Sequence, residues 1–305
     1  MKTILRLTVV IVLFFMEVTA QNNKNSIKEI SSKQDSYILA DLSYMNDAIF
    51  MGRRDSIAAP YIFPSIGYYD ASGFFADISA SYLTASSEQR IDLFLLSTGY
   101  LFDSKKWSGG ISVTGYFFNE DSYNVQSEMT ANLSGLISYD LKTVEISLSV
   151  NSFFNTSSRA DIFGELVLSK ILYLDKQRFL IKPSFSLGAG TQNFYEAYYK
   201  TSRLGNRKGK GSGGQNQTIS NTIEINEATE FNLLNIELGM PFQYYHESFI
   251  FSFSPTLAFP QSSATITTED LIIKEKLESV FYWSVGISYW FSTKKNKNTL
   301  INKSR

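Results

Sequence analysis

The sequence predicts an all-β protein, namely a transmembrane, antiparallel, up-and-down β-barrel of about 12 strands. Three observations support this prediction. Many segments alternate apolar with small or polar residues, the chain begins with a secretory signal, and the connections alternate between short and long. A barrel wall explains the alternation, because one face of each strand contacts lipid and the other faces a polar interior.

The alternation has a period of two, as expected for a strand with two different faces. In the segment 249–259 apolar residues alternate with Ser252, Ser254 and Thr256, and the segments 144–150, 181–187 and 234–242 repeat this pattern. The predicted strands are 37–50, 60–69, 74–84, 91–102, 107–118, 127–140, 143–154, 161–173, 178–195, 229–244, 248–259 and 278–291.

The eighth of these segments alternates less regularly. Glu165 and Lys170 have opposite parity, so both can point inward only if the strand contains a bulge.

The connections supply a separate test of the barrel. Short links at 70–73, 103–106, 141–142, 174–177 and 245–247 alternate with longer links at 51–59, 85–90, 119–126, 155–160, 196–228 and 260–277. Outer-membrane barrels have tight periplasmic turns and longer outer loops, whereas a soluble β-sandwich has no reason to sort its connections in this way. An even number of strands places both chain ends in the periplasm.

Sequence features at both ends predict four regions. Residues 1–20 have a basic start, an apolar run from Leu7 to Met16 and a small-residue exit at Ala20, which is typical of a cleaved signal peptide. The polar segment 21–35 is expected to be a periplasmic lead-in, 36–291 the barrel, and 292–305 a basic polar periplasmic tail. The chain contains no cysteine, so disulfides contribute nothing to its stability.

The last predicted strand carries a more specific motif. Ser284, Gly286, Tyr289 and Phe291 stand in the order polar, any, Gly, any, any, aromatic, any, aromatic. This resembles the C-terminal β-signal of Gram-negative outer-membrane β-barrel proteins, a porin-like superfamily. The resemblance implies insertion into outer-membrane lipid by the barrel assembly machinery. It departs from the family pattern in one respect, because a polar tail follows the final aromatic residue.

Charged residues with inward parity are the candidates for lining the interior. They are Asp77, Asp92, Glu145, Lys182 and Glu237. Glu145 and Lys182 are expected near the periplasmic strand ends, Asp92 near the outer end and Glu237 about midway. Charges at such different heights favour a hydrated wall over a catalytic pair, and the excess of acids favours cations weakly.

The composition argues against an enzyme. A hydrolase or acyl transferase generally needs a histidine base, and the single histidine, His246, lies in a predicted periplasmic turn. One histidine without any cysteine makes a transition-metal site unexpected, and no cofactor is predicted. A net charge of −1 gives no reason to expect a nucleic-acid partner.

The longest predicted outer loop contains a basic cluster. Its bases are Lys200, Arg203, Arg207, Lys208 and Lys210. The spacing of the glycines around them does not fit a phosphate-binding P-loop. The cluster suits anionic groups at the membrane surface, although a solvated loop has the same composition.

These observations favour a passive, porin-like channel for small solutes. A twelve-stranded lumen lies between the filled interior of eight strands and the aqueous channel of sixteen, so it can be open, narrow or plugged. The alternative is a non-conducting structural or adhesion barrel that binds surface partners through its outer loops.

Overall fold

The computed structural model describes residues 35–53, 59–85, 89–122, 124–156, 159–175, 178–195, 224–225, 228–263, 265–267, 272–274 and 276–293. The signal peptide, most of the lead-in, the basic cluster at 200–210 and the tail beyond 293 lie outside these residues. The strands are β1 (Tyr37–Met45), β2 (Tyr61–Tyr69), β3 (Phe74–Leu83), β4 (Arg90–Ser104), β5 (Trp107–Phe118), β6 (Met129–Asp140), β7 (Glu145–Asn155), β8 (Asp161–Ser169), β9 (Leu172–Leu174), β10 (Phe179–Ile181), β11 (Ser184–Gly190), β12 (Glu224–Ile225), β13 (Asn232–Gly239), β14 (Phe242–His246), β15 (Phe249–Pro260), β16 (Thr265–Thr267), β17 (Ile272–Lys274) and β18 (Val280–Ser292).

The sheet closes into the predicted barrel of 12 antiparallel strands. Neighbours in sequence pair from β1 to β8, the circuit continues through β11, β13 and β15 to β18, and β18 pairs with β1 from Tyr37↔Ser292 to Met45↔Ser284. Closure leaves the wall with no open edge, so its backbone groups are paired within the sheet. Among the described helical residues there is also no segment with the length and apolar character needed to span a membrane.

Three of the predicted strands are interrupted. The predicted strand 161–173 is divided near residue 170 into β8 and β9. In the same way, the strand 178–195 is divided near residue 182 into β10 and β11, and the strand 229–244 near residue 240 into β13 and β14. Pro183 and Pro241 lie at two of these interruptions, where a proline cannot donate a ladder hydrogen bond. The interrupted strands still contact each other, because the backbone N–H of Lys170 donates to the backbone carbonyl of Pro183 at 3.1 Å.

The connections sort by length as predicted. The short turns after β2, β4, β6, β9 and β14 lie at one end of the barrel, together with Tyr37 and Ser292, and we call this the short-turn end. The longer connections lie at the other end, the long-loop end. There β12, β16 and β17 form a separate three-stranded sheet outside the barrel wall.

The outer face of the wall is apolar. On β18 the side chains of Phe281, Val285, Ile287 and Phe291 are 59%, 40%, 38% and 49% exposed, whereas Tyr282 between them is 6% exposed. This orientation confirms the predicted alternation of the strand. In water such a band would be unfavourable, but in lipid it is the expected surface.

Strand β13 departs from the predicted alternation. Leu234 was expected to face lipid, but a β-bulge between Gly188 and Ala189 of the partner strand leaves both Leu234 and Asn235 facing inward. Leu233 is 41% exposed on the outer face. A bulge places two residues opposite one, so one apolar side chain is added to the interior. No bulge is needed for Lys170, which is exposed beyond the end of β8.

Two predicted strands are too long at the long-loop end. The first ends at Met45 instead of residue 50, and the ninth ends at Gly190 instead of residue 195. The residues that follow leave the wall and enter the barrel. At the first of these points Asn46 ends the ladder, since its Oδ1 accepts the Trp283 N–H at 2.6 Å.

Candidate functional site

The interior of the barrel has two parts, an apolar part at the long-loop end and a polar part towards the short-turn end. We call the apolar part the aromatic plug. It consists of the buried residues Phe50, Leu93, Leu95, Tyr116, Val125, Met129, Phe153, Phe163, Phe194, Tyr195, Ala228 and Leu234. Inward side chains of six strands contribute to it, and the remainder come from the connections.

Phe50 is at the centre of the plug. Its ring meets those of Phe153, Phe163 and Phe194 with centroid distances of 5.9, 5.2 and 5.0 Å, each in an edge-to-face arrangement. Edge-to-face contacts between buried rings contribute about 0.5–1.5 kcal/mol each beyond the burial of area. Phe50 therefore fills an aromatic socket that the wall and another connection provide.

A tight hairpin of the first connection carries Phe50. Phe50 and Arg53 exchange backbone hydrogen bonds of 2.8 and 2.9 Å. Gly52 in the turn has φ of +75°, and a Cβ atom there would lie 2.9 Å from Asn235 Oδ1 and from Pro260 Cβ. The turn therefore needs glycine for both its backbone angle and its close approach to the wall.

Arg53 fixes the other side of this hairpin. Its guanidinium lies 4.9 Å from the ring centroid of Tyr195, and one of its nitrogens donates to the backbone carbonyl of Ser262. A cation over an aromatic face is favourable, and more so when the pair is shielded from water.

The connection after β11 is attached to the wall by Asp161. This carboxylate, which is buried, accepts hydrogen bonds from Thr191 Oγ1, from the backbone N–H groups of Asn193 and Phe194, and from the side chain of Asn155. Asp161 thereby holds Phe194 in position as part of the aromatic socket around Phe50.

A second apolar cluster occupies the other side of the same end. It contains Met45, Ala48, Ala59, Tyr61, Phe63 and Leu83. Asp47 Oδ1 accepts the Ala59 N–H at 3.0 Å and holds the two ends of the first connection together. The plug and this cluster together fill the long-loop end of the barrel.

Asp92 faces inward at the long-loop end, at the height expected from the sequence. It accepts hydrogen bonds from Tyr61 Oη at 2.6 Å and Ser122 Oγ at 2.7 Å, and Arg90 Nε lies 3.0 Å away. Asp92 is thus enclosed among partners beneath the connections and is not on an open polar surface.

The polar part of the interior, which we call the polar chamber, is lined by hydroxyl-bearing residues together with larger inward side chains, among them the stacked rings of Tyr37, Tyr69 and Phe75. Neighbouring strands are joined across it by hydrogen bonds between Ser97 and Thr114 at 3.0 Å, Ser138 and Ser147 at 2.7 Å, and Ser134 and Asn151 at 2.7 Å. Serines and threonines with inward parity occur on most of the wall strands.

The structure brings together two of the sequence-predicted charges. Lys182 Nζ lies 3.6 Å from Glu145 Oε1 near the short-turn end, and both side chains are largely buried. Asp77 faces inward on β3, with its Oδ2 2.8 Å from where a Cβ atom of Gly67 would lie. Glu237 lies midway along the barrel and accepts hydrogen bonds from Asn235 at 2.7 Å and Tyr282 at 3.2 Å.

Two further inward carboxylates were not among the predicted lining residues. Asp41 on β1 accepts a hydrogen bond from Ser288, and Glu165 on β8 lies beside Gly188 on the partner strand. Asp41 was missed because its inward neighbours Tyr37 and Leu39 are apolar, so β1 shows no alternation. The inward parity of Glu165 could be read from the sequence, but the opposite parity of Lys170 left the orientation of the segment undecided.

Other predicted residues lie apart from the interior. His246 is exposed at the end of β14 beside a short turn, with its ring stacked on that of Tyr244. Within the described part of the chain no group of three or more His, Cys, Asp or Glu residues is arranged to hold a metal ion. The basic cluster Lys200, Arg203, Arg207, Lys208 and Lys210 lies outside the described residues.

The motif of the last strand lies on β18, where that strand closes the barrel against β1. Gly286 faces inward, and a Cβ atom there would lie 2.8 Å from Ser252 Oγ. Tyr289 contacts Phe249 at 4.7 Å and Phe291 at 4.5 Å between ring centroids. The role of this motif in assembly stays a prediction.

A closed antiparallel wall with an apolar exterior and a polar interior defines the class of this protein, a β-barrel of the outer-membrane type. No family model matches the sequence, and no curated protein matches it.

Solved structures with a similar fold include two porins and LpxR from Salmonella typhimurium. The KdgM porin is 9% identical over 83% of this chain and 99% of its own, with a TM-score of 0.43. The NanC porin is 7% identical over 83% and 98%, with a TM-score of 0.45. LpxR from Salmonella typhimurium is 11% identical over 83% and 100%, with a TM-score of 0.42. At such identities a likeness concerns the fold alone.

Proposed function

We propose that this protein is a passive conduit for small hydrophilic solutes and that it prefers cations. The observation that carries the proposal is the polar chamber, with its hydroxyl-bearing side chains and its excess of carboxylates. Twelve strands lie between the filled interior of eight and the aqueous channel of sixteen, so an interior with a polar lining can hold water. Hydroxyl groups on the wall can replace part of the hydration of a passing solute.

The charge of the chamber sets the proposed preference. Asp41, Asp77, Glu145, Glu165 and Glu237 supply the carboxylates, and the opposing base Lys182 is paired with Glu145. Fixed charges of one sign within low-dielectric walls raise the local concentration of counter-ions. The chamber is therefore expected to favour cations over anions of the same size.

Planar-bilayer recordings with purified, folded protein test this proposal. In a KCl gradient we expect a reversal potential of the sign that indicates cation preference, and we expect Glu237→Gln to reduce it. The control is Glu278→Gln, which removes an exposed carboxylate paired with Lys276 outside the barrel wall. Anion preference, or an equal effect of both variants, contradicts the proposed role of the chamber.

A second function is favoured by a different observation. Because the aromatic plug fills the long-loop end, the barrel could serve as a non-conducting support for connections that bind surface partners. This alternative predicts no current from the wild-type protein or from any variant with a weakened plug.

A further inference from the structure

Two carboxylates face the polar chamber from the strands on either side of β2. Asp41 lies on β1 opposite Ser65 of β2, and Asp77 lies on β3 opposite Gly67 of β2. Ser65 and Gly67 are two residues apart, so the two acids occupy diagonal positions on one face of the sheet. They also interact electrostatically, since Asp41 is the charged group whose field acts on Asp77.

Gly67 leaves open the space in which the two acids meet. The Oδ2 atom of Asp77 lies 2.8 Å from where a Cβ atom of Gly67 would lie, so this carboxylate leans from β3 over β2. The hydroxyl oxygen of Tyr69 lies 3.3 Å from the same point. Diagonal neighbours on adjacent strands are about 7–8 Å apart, which places Asp41 within side-chain reach of this space.

Asp41 contributes an oxygen that has no donor. Its Oδ1 accepts the hydroxyl of Ser288, which draws that oxygen towards β18. Its Oδ2 is buried and has no hydrogen-bond partner among the described residues, and the residue as a whole is 8% exposed. The two oxygens of a carboxylate diverge, so Oδ2 faces β2 and the space over Gly67. A buried acceptor without a donor is unfavourable, and more so when it carries charge.

The pair of acids is not neutralised by a base. Neither Asp41 nor Asp77 forms an ion pair with a lysine or arginine of the described residues, and the structure gives Asp77 no hydrogen-bond donor there. Two carboxylates so placed repel each other, and a cation between them removes that repulsion. The unpaired Oδ2 of Asp41 and the open space over Gly67 thus both favour a bound cation.

We propose that Asp41 and Asp77 form a binding site over Gly67 for one divalent cation of the kind that prefers oxygen ligands, such as Ca²⁺. Carboxylate, hydroxyl and water oxygens are suitable ligands for Ca²⁺, and two carboxylates balance its charge. The absence of histidine and cysteine from the pair favours such an ion over a transition metal. We expect a dissociation constant of about 10⁻⁴–10⁻³ M, the range of weak calcium sites.

The inference rests on the proposed function only in that it deepens the cation preference of the chamber, since it gives those cations a place to bind. Binding itself does not require passage. The site is therefore tested on protein that carries no current.

Terbium luminescence is the first test. Tb³⁺ replaces Ca²⁺ at oxygen sites and emits strongly when a nearby aromatic side chain transfers energy to it, and Tyr69 lies beside the proposed site. The protein is refolded into a maltoside detergent, so that no lipid phosphate competes for the ion. We expect saturable emission with one ion per chain, and we expect millimolar Ca²⁺ to displace that ion.

Asp41→Asn and Asp77→Asn each remove one charge with little change of size, so each should weaken Tb³⁺ binding at least roughly tenfold. The matched controls are Glu165→Gln and Glu237→Gln, which remove one charge from another interacting pair of inward carboxylates. Glu237 already accepts two hydrogen bonds, so the controls should change the affinity much less. A gel shift on heating shows that each variant is folded.

An absence of saturable emission from the wild-type protein overturns the site. An equal loss of affinity in Asp77→Asn and Glu237→Gln also overturns it, because the binding would then reflect the general charge of the chamber. A cation-selective current from protein that binds no Tb³⁺ rejects the site and leaves the conduit standing. A bound ion in a barrel that carries no current rejects the conduit and leaves the site standing.

Thermal stability provides a second test. An ion that binds only the folded protein stabilises it, so about 10 mM Ca²⁺ should raise the temperature at which the folded gel band is lost. This rise should occur in the wild-type protein and in Glu237→Gln, but not in Asp77→Asn. Mg²⁺ should have a smaller effect, because it needs stricter geometry and gives up its water reluctantly. Equal shifts in all three proteins would contradict the site.

Discussion

The carboxylate of Asp161 accepts the backbone N–H of Phe194 at 2.7 Å, and this bond joins the wall of the barrel to the aromatic plug. Asp161 is the first residue of β8, and Phe194 follows the end of β11. The same carboxylate accepts four further hydrogen bonds, from Thr191 Oγ1, from the backbone N–H and the side-chain amide of Asn193, and from the side chain of Asn155. One side chain thus fixes the direction in which a connection enters the barrel.

Asp161→Asn should destabilise this arrangement. An amide presents an NH2 group to donors that the carboxylate accepted, so at least one buried N–H group loses its partner, at about 1–3 kcal/mol. We expect a lower temperature for the heat-induced loss of the folded gel band. Asp175→Asn, which changes an exposed acid in a short turn, should leave that temperature unchanged. Equal temperatures for the two variants would show that Asp161 does not hold the plug.

The Glu145–Lys182 pair predicts non-additive energetics. Lys182→Met leaves the Glu145 carboxylate largely buried without its base, which costs up to about 3–5 kcal/mol. The double variant Glu145→Gln/Lys182→Met should be more stable than Lys182→Met alone, because it leaves no uncompensated charge. A double-mutant cycle from urea unfolding in lipid vesicles measures the coupling, and strict additivity of the two changes would rule it out.

The turn at Asp70 predicts a pH dependence. The hydroxyl and then the N–H of Ser72, together with Tyr68 and Ser36, hold the pKa of Asp70 well below its ordinary value of 3.8. A lowered folded-state pKa means that the carboxylate contributes stability above about pH 4, and that this contribution is lost as the pH falls towards the folded pKa. Asp70→Asn should therefore lower the melting temperature slightly at pH 7 and less at pH 3. A difference that grows on acidification would contradict this sign.

The last strand predicts an assembly defect. We expect Gly286→Asp with Phe291→Ser to leave unassembled, protease-sensitive protein in the periplasm, because both changes fall within the motif that resembles the β-signal. Phe281→Ser is the control, since Phe281 is an exposed aromatic residue of the same strand outside the motif. Fractionation and protease treatment measure the outcome, and normal surface levels of the double variant would refute the role of the motif.

The parity of the strands predicts the topology. If the short turns are periplasmic, the connection after β11 is outside the cell, and trypsin added to intact cells should cut it at one of Lys200, Arg203, Arg207, Lys208 or Lys210. The two fragments should remain together until heated in detergent. The tail residues Lys294, Lys295 and Lys297 should be spared. Cleavage of the tail with protection of the loop would mean that the orientation is reversed.

The wall of this barrel was predictable from the sequence, as β18 illustrates. Its alternation is uninterrupted, so the exposed Phe281, Val285 and Ile287 follow from parity alone. β13 was less predictable, because nothing local distinguishes Leu234 from the lipid-facing leucines around it. The bulge depends on the pairing of β13 with β11, and the alternation of residues along one strand does not reveal how that strand pairs with its neighbour.

The plug was not predictable in the same way. Phe50 and Phe194 were both assigned to the ends of wall strands, since an aromatic residue at a strand end looks the same whether it faces lipid or enters the barrel. Their positions depend on contacts with Phe153 and Phe163, which are distant in sequence. Inward charges such as Glu237 follow from parity, but the partners that surround Asp92 depend on where the connections fold.

The bulge on β13 has a consequence for how such a barrel can change. Leu234 is an extra residue, with Leu233 facing outward and Asn235 facing inward on either side of it. Deleting Leu234 would remove one side chain from the plug and leave the orientation of every other residue in the strand as it is. Insertion or loss of a single codon at this point can therefore add or remove one interior side chain while the outer surface stays the same.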